Sequence, residues 1–310
     1  MVVLQQMVIF FILMGVGFAA RKADILTREF LPKLSSLIAN VAGPCLILSG
    51  SIGVDNRLSL AQAGFAFAVF GVLIVAMMAI AWVLPALLRF PQHERPAVNF
   101  AFWMTNIGYL GMPFAASVYG HDAQIYVVLY LIPNNLLLYT YAIWLMQHNA
   151  RSEHGVRTKF NLRGLLNTGV AATIATTVLY FGAIELPHVI AAPIQMLGAT
   201  TAPLAMMLVG AQLVDENIVR MLRDARLMAF TVLKMLVLPI VLLLALRLFV
   251  TDTNLLAACL AIVAMPSGVL VSAFSLLYDQ QGAPRATQVV AFTTFVAVAT
   301  IPLVALAVGL

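Results

Sequence analysis

Two apolar stretches of the chain carry interruptions of a kind that can seat a ligand. One reads Asn106-Ile107-Gly108-Tyr109-Leu110-Gly111-Met112-Pro113 and the other Ala264-Met265-Pro266-Ser267-Gly268. Proline cannot donate the helical hydrogen bond and its ring collides with the preceding turn, so at mid-membrane it is expected to force a break. Glycine allows close backbone approach, and an amide offers donor and acceptor without burying a charge. Half-helices starting after such breaks aim unpaired N–H groups and a positive dipole end inward, which suits a carboxylate. Asn106, Gly111, Pro113, Pro266, Ser267 and Gly268 are therefore candidate substrate-binding residues. Asn40 and Pro44, in Asn40-Val41-Ala42-Gly43-Pro44, and Asn135, beside Pro133 and Asn134, are candidates for walls or polar contacts. Intramembrane amides also serve as glue between helices.

The elements that must hold these residues are membrane spans. Of 310 residues, 63% are hydrophobic and 9% charged, and the mean hydropathy is +1.01. A span needs about 20 mostly apolar residues. That ruler gives ten: 2–20, 30–50, 59–88, 97–119, 124–147, 166–184, 190–213, 227–249, 254–277 and 286–309. The expected fold is an all-α integral membrane protein. The longest polar interruption, 147–163, divides the spans five and five, giving a first repeat at 1–147, a cytoplasmic linker at 148–165 and a second repeat at 166–310. Five is odd, so the second set enters from the opposite side, and two halves of shared fold form an inverted repeat. Pro44 and Pro113 in the first half are matched by Pro203 and Pro266 in the second.

The net charge of +5 is explained by topology, with no nucleic-acid partner expected. Fourteen Lys and Arg residues, from Arg21 to Arg285, fall in alternate loops that make one side, against Arg57 and Arg247 on the other. Cytoplasmic loops collect Lys and Arg, so both termini should face the extracytoplasmic side of the inner cell membrane. Lys234 lies inside the eighth span, about two turns from the cytoplasmic edge, and is expected to snorkel. Every Asp and Glu falls in loops or at span ends, which leaves no obvious embedded ion relay. Cys45 and Cys259 suggest neither disulfide nor metal site. Gly15-Val16-Gly17-Phe18-Ala19-Ala20 matches a dinucleotide fingerprint only superficially, and His148, Glu153 and His154 read as a solvated loop. No cofactor and no enzymatic activity are expected.

Asn106, Gly111 and Pro113, then Pro266 and Gly268 with Phe274 and Tyr278 downstream, then Asn40 and Pro44, form a set of motifs that resembles the auxin efflux carrier family. That family includes the plant PIN exporters and bacterial malonate-carrier-like proteins. The resemblance covers essentially the whole chain. It implies ten helices in two inverted five-helix repeats, with broken helices four and nine crossing at their prolines and an organic anion bound there. By proline spacing Asn106 corresponds to Cys259, so the resemblance does not extend to a matched pair of asparagines. The central loop is also far shorter than in the plant exporters.

Together these features point to a secondary carrier of small organic anions, malonate-like dicarboxylates or auxin-like monoacids, working by alternating access. The alternative is a membrane sensor or scaffold that binds such a ligand without moving it. The expected partners are the anion, the lipid bilayer and, as an oligomer left open, a second copy of the chain.

Overall fold

The protein is described by a computed structural model covering residues 2–53, 57–146, 168–214 and 221–310. It is all-helical, 82% helix, with no strand among the described residues. The linker, its basic residues Arg151, Arg157, Lys159 and Arg163, the loop group His148, Glu153 and His154, and Arg220 lie outside the described residues.

Among the described residues, seven helices are long and apolar enough to cross a membrane: Leu4–Lys22, Phe30–Ser49, Leu60–Leu87, His121–Met146, His188–Leu213, Ala225–Leu246 and Ala283–Val308. Thr168–Phe181 is shorter, and two further segments are each built from two short helices. Leu60–Leu87 is apolar all round, and its Val72, Val75 and Val83 are exposed, which suits a helix with one face in lipid. Its start is fixed by a capping box between Ser59 and Gln62. Asp224 and Asp252 are simple N-caps of the helices that follow them, each accepting two backbone N–H bonds.

Prolines in these helices mostly do not break them. Wide π turns at Ile38–Ala42, Ile107–Gly111 and Leu233–Val237 each end two residues before a proline, at Pro44, Pro113 and Pro239. Lengthening the turn relieves the clash between the proline ring and the carbonyl of the previous turn, and the helix continues. This corrects the expectation at Pro113. The chain is helical from Ile107 to Tyr119, and the first break lies earlier, at Met104–Asn106. The second break, between Val263 and Val269, does contain Pro266.

The helices pack as two groups. Val2–Lys22, Phe30–Ser49, Thr168–Phe181 and His188–Leu213 contact one another, and the remaining helices gather around the two broken segments. In the first group Gly17 and Gly210 permit the closest approach. A Cβ on Gly17 would overlap the Met207 carbonyl, and one on Gly210 the Met14 carbonyl. Gly17 of the Gly15-Val16-Gly17 run is thus a helix-packing residue.

Polar ties join the helix ends. Arg285 donates from Nη1 to Asp224 at 2.6 Å and from Nε to Glu94 at 2.8 Å, gathering three ends on one face. On the other, Arg57 reaches the Tyr180 carbonyl at 2.9 Å, and Tyr126 donates its hydroxyl to Asp252 at 2.5 Å.

Candidate functional site

The two breaks meet through their backbones. Thr105 and Ser267 form an isolated antiparallel bridge, with Asn106 N–H donating to the Pro266 carbonyl at 2.7 Å and Gly268 N–H to the Met104 carbonyl at 2.9 Å. Unwound peptide groups in an apolar interior must find partners, and here each break serves the other. Gly268 suits this close approach, because a Cβ there would stand 3.1 Å from the Thr105 carbonyl oxygen. The bridge also sets Thr105 against Ser267, so the equivalence of Asn106 with Cys259 drawn from proline spacing does not hold in space. Cys259 sits inside Thr253–Val263, before its break.

Side chains from the second half complete the carboxyl end of Arg95–Trp103. The last carbonyls of a helix have no partner in the helix itself. The Ser267 hydroxyl donates to the Ala101 carbonyl at 2.7 Å, and Lys234 Nζ donates to the Phe102 carbonyl, also at 2.7 Å. Ser267 N–H in turn donates to Thr293 Oγ1 at 3.1 Å. Lys234 therefore does not snorkel. It is 1% exposed, and its amine faces the carboxyl end of a half-helix and the ring of Phe102. The spacing argument missed this because distance to the membrane edge says nothing about a carbonyl presented from another helix.

Beside this crossing lies a cavity of about 220 Å³. Its walls are Asn40, Gly43, Pro44 and Ile47 from Phe30–Ser49, Leu131, Asn135 and Leu138 from His121–Met146, and Thr168, Gly169 and Thr201. A further wall comes from both breaks: Gly108, Tyr109 and Met112 after the first, Leu270 after the second. Gly108, Tyr109 and Leu270 belong to the first turns of the two half-helices, where N–H groups have no acceptor within the helix. The lining contains no charged side chain, so these two dipole ends supply its fixed positive potential. The cavity also lies between the two helix groups, drawing residues from each.

The structure thus gathers three of the sequence candidates, Asn40, Pro44 and Asn135, around one cavity. Asn40 is anchored there, donating from Nδ2 to the Ser36 carbonyl at 3.0 Å and accepting from Thr168 Oγ1 at 3.1 Å. Asn106, Gly111, Pro266, Ser267 and Gly268 lie outside its lining, in or against the crossing, and Pro113 lines a neighbouring cavity. Gly111 is a packing residue, since a Cβ would come 2.9 Å from the Ala261 carbonyl oxygen. Asn106 is 2% exposed, and its Nδ2 has no hydrogen-bond partner, nor do Thr105 Oγ1 and Thr201 Oγ1. Buried polar atoms without partners are costly unless something else fills the need. Sequence reasoning overlooked Gly108, Tyr109, Thr201 and Leu270. The available signal was position, because each of the three break-derived residues follows its break by no more than a turn.

The profile of the family described as membrane transport protein matches residues 2–305. The chain belongs to this family, that of the auxin efflux carriers and PIN-like proteins. It is accordingly a multi-pass membrane transporter of a transport family, not of an enzyme family. A search of curated proteins gave no match.

Proposed function

We propose that the protein is a secondary carrier of small organic anions working by alternating access, with the carboxylate held in the cavity beside the crossing. The observation that carries this reading is the convergence of two half-helix amino ends on one cavity between two helix groups. Unpaired N–H groups and the positive dipole ends favour an anion. The volume holds roughly seven waters at ~30 Å³ each, the scale of a small organic acid. Asn135 and Thr201 offer polar contacts, and the unpartnered Asn106 amide and Thr105 hydroxyl stand at the crossing itself.

The architecture behind this reading is ten transmembrane helices in two inverted five-helix repeats, residues 1–147 and 166–310, with the fourth and ninth helices interrupted and crossing. Transport then moves one helix group against the other and exposes the cavity to each side in turn. The face holding Glu94, Asp224 and Arg285 is cytoplasmic in this arrangement, the membrane is the inner cell membrane, and both termini are extracytoplasmic. With an inside-negative potential, export gains about 2.3 kcal/mol per anionic charge per 100 mV, so it runs without a coupling ion.

Counterflow of radiolabelled malonate and of labelled benzoate in proteoliposomes tests the proposal. Exchange of either acid above protein-free vesicles supports it. Binding without exchange would instead make the protein a sensor, and neither binding nor exchange would refute the organic-anion reading.

A further inference from the structure

A second cavity, of about 340 Å³, adjoins the first. Its polar lining is Ser49, Ser117, His121, Gln124 and Gln195. The two cavities share four helices, and on three of them change over at adjacent residues: Ile47 and Leu46, Met112 and Pro113, Thr201 and Ala202. They are therefore neighbours along the same helices, and the second lies toward the face that carries Arg57 and Asp252.

Gln124 is completely buried. Its Nε2 donates to the Leu46 carbonyl at 2.8 Å, while its Oε1 has no partner. The Leu46 carbonyl can only accept, so it fixes the amide orientation and leaves Oε1 as a free acceptor. Such an acceptor calls for an O–H or N–H on the guest, the opposite of what the first cavity offers.

We propose that the second cavity is a station for the protonated carboxyl of the organic acid, the acid's O–H donating to Gln124 Oε1. The proposal rests on the organic-anion reading above and adds to it the protonation state in which the acid crosses the second cavity. The proton travels on the substrate, one negative charge fewer enters from that face, and no embedded carboxylate is needed. His121 is the one titratable side chain in the lining among the described residues. The other titratable groups on the surrounding helices, Lys33, Cys45, Tyr119, Asp122, Tyr126, Tyr130, Tyr141 and His188 among them, lie outside it.

The test is malonate counterflow in proteoliposomes holding the full chain, with equal pH inside and out and protein-free vesicles as blank. Wild-type exchange is expected to rise on acidification with the singly protonated acid, by up to roughly tenfold per pH unit. Gln124→Met flattens that rise, whereas His121→Asn keeps it. A flat wild-type profile, a rise that survives in Gln124→Met, or a rise lost in His121→Asn would overturn the proposal. If Gln124→Met does not elute as a folded protein, the wild-type and His121→Asn profiles decide. No exchange of malonate or benzoate at any pH refutes the organic-anion reading itself, whereas pH-independent exchange refutes only the proton station.

Discussion

Lys234 Nζ donates a 2.7 Å hydrogen bond to the carbonyl oxygen of Phe102, across 132 residues of sequence and at the carboxyl end of a half-helix. The amine is withdrawn from water, and what it gains is a carbonyl at a helix end that would otherwise be unserved. Lys234→Met keeps the volume and removes the donor. The Phe102 carbonyl is then orphaned, at a cost of about 1–3 kcal/mol, read as a lowered melting temperature in detergent. An unchanged melting temperature would mean that the bond does not hold the half-helix.

Two glycines three residues apart are expected to behave oppositely. Gly111→Ala drives a methyl to within 2.9 Å of the Ala261 carbonyl and should destabilise by about 1–3 kcal/mol through overpacking. A Cβ on Gly108 meets nothing within 4 Å, because it opens on the cavity. Gly108→Ala should therefore melt near wild type. Thermal denaturation of both variants side by side checks the contrast.

Ser267→Ala removes the donor to the Ala101 carbonyl at the same crossing. The expected loss is about 1–3 kcal/mol of stability, and Ser267→Thr, which keeps a hydroxyl, is expected to recover part of it. Equal melting of wild type and Ser267→Ala would contradict the role given to this serine.

Much of this was legible in the sequence because apolar length and loop charge are properties of segments. The two interrupted stretches announced themselves through Asn106, Gly111, Pro266 and Gly268. The exact break was not legible. Pro113 looked like the breaker, yet a π turn absorbs it, and the chain unwinds at Met104–Asn106, where the partner break offers Pro266 and Gly268. Lys234 was misread for a related reason: its partner is a backbone carbonyl, which has no signature in side-chain identity. Gly108 and Leu270 became recognisable only once the true starts of the half-helices were known.

The charge cluster at the helix ends gives a pH prediction. Burial alone would push the Asp224 carboxyl up, but the Arg285 hydrogen bond and charge and the N–H groups of Leu227 and Arg226 outweigh it and hold its pKa below the ordinary value. A carboxylate depressed on folding stabilises fully above its unfolded pKa and loses that contribution as pH falls through its folded one. Asp224→Asn should thus melt lower than wild type at neutral pH. The gap should close as pH falls below about 4. A gap independent of pH would show that charge is not the cause.

The most direct test of the central claim, that two half-helix amino ends form an anion seat, is ligand-induced thermal stabilisation of the purified carrier by malonate and benzoate, in wild type and in Gly108→Leu. Leucine at this position fills the cavity while leaving the crossing hydrogen bonds in place. At least one acid is expected to raise the wild-type melting temperature and to leave that of Gly108→Leu unchanged. Equal stabilisation of both proteins would place the anion elsewhere and contradict the account.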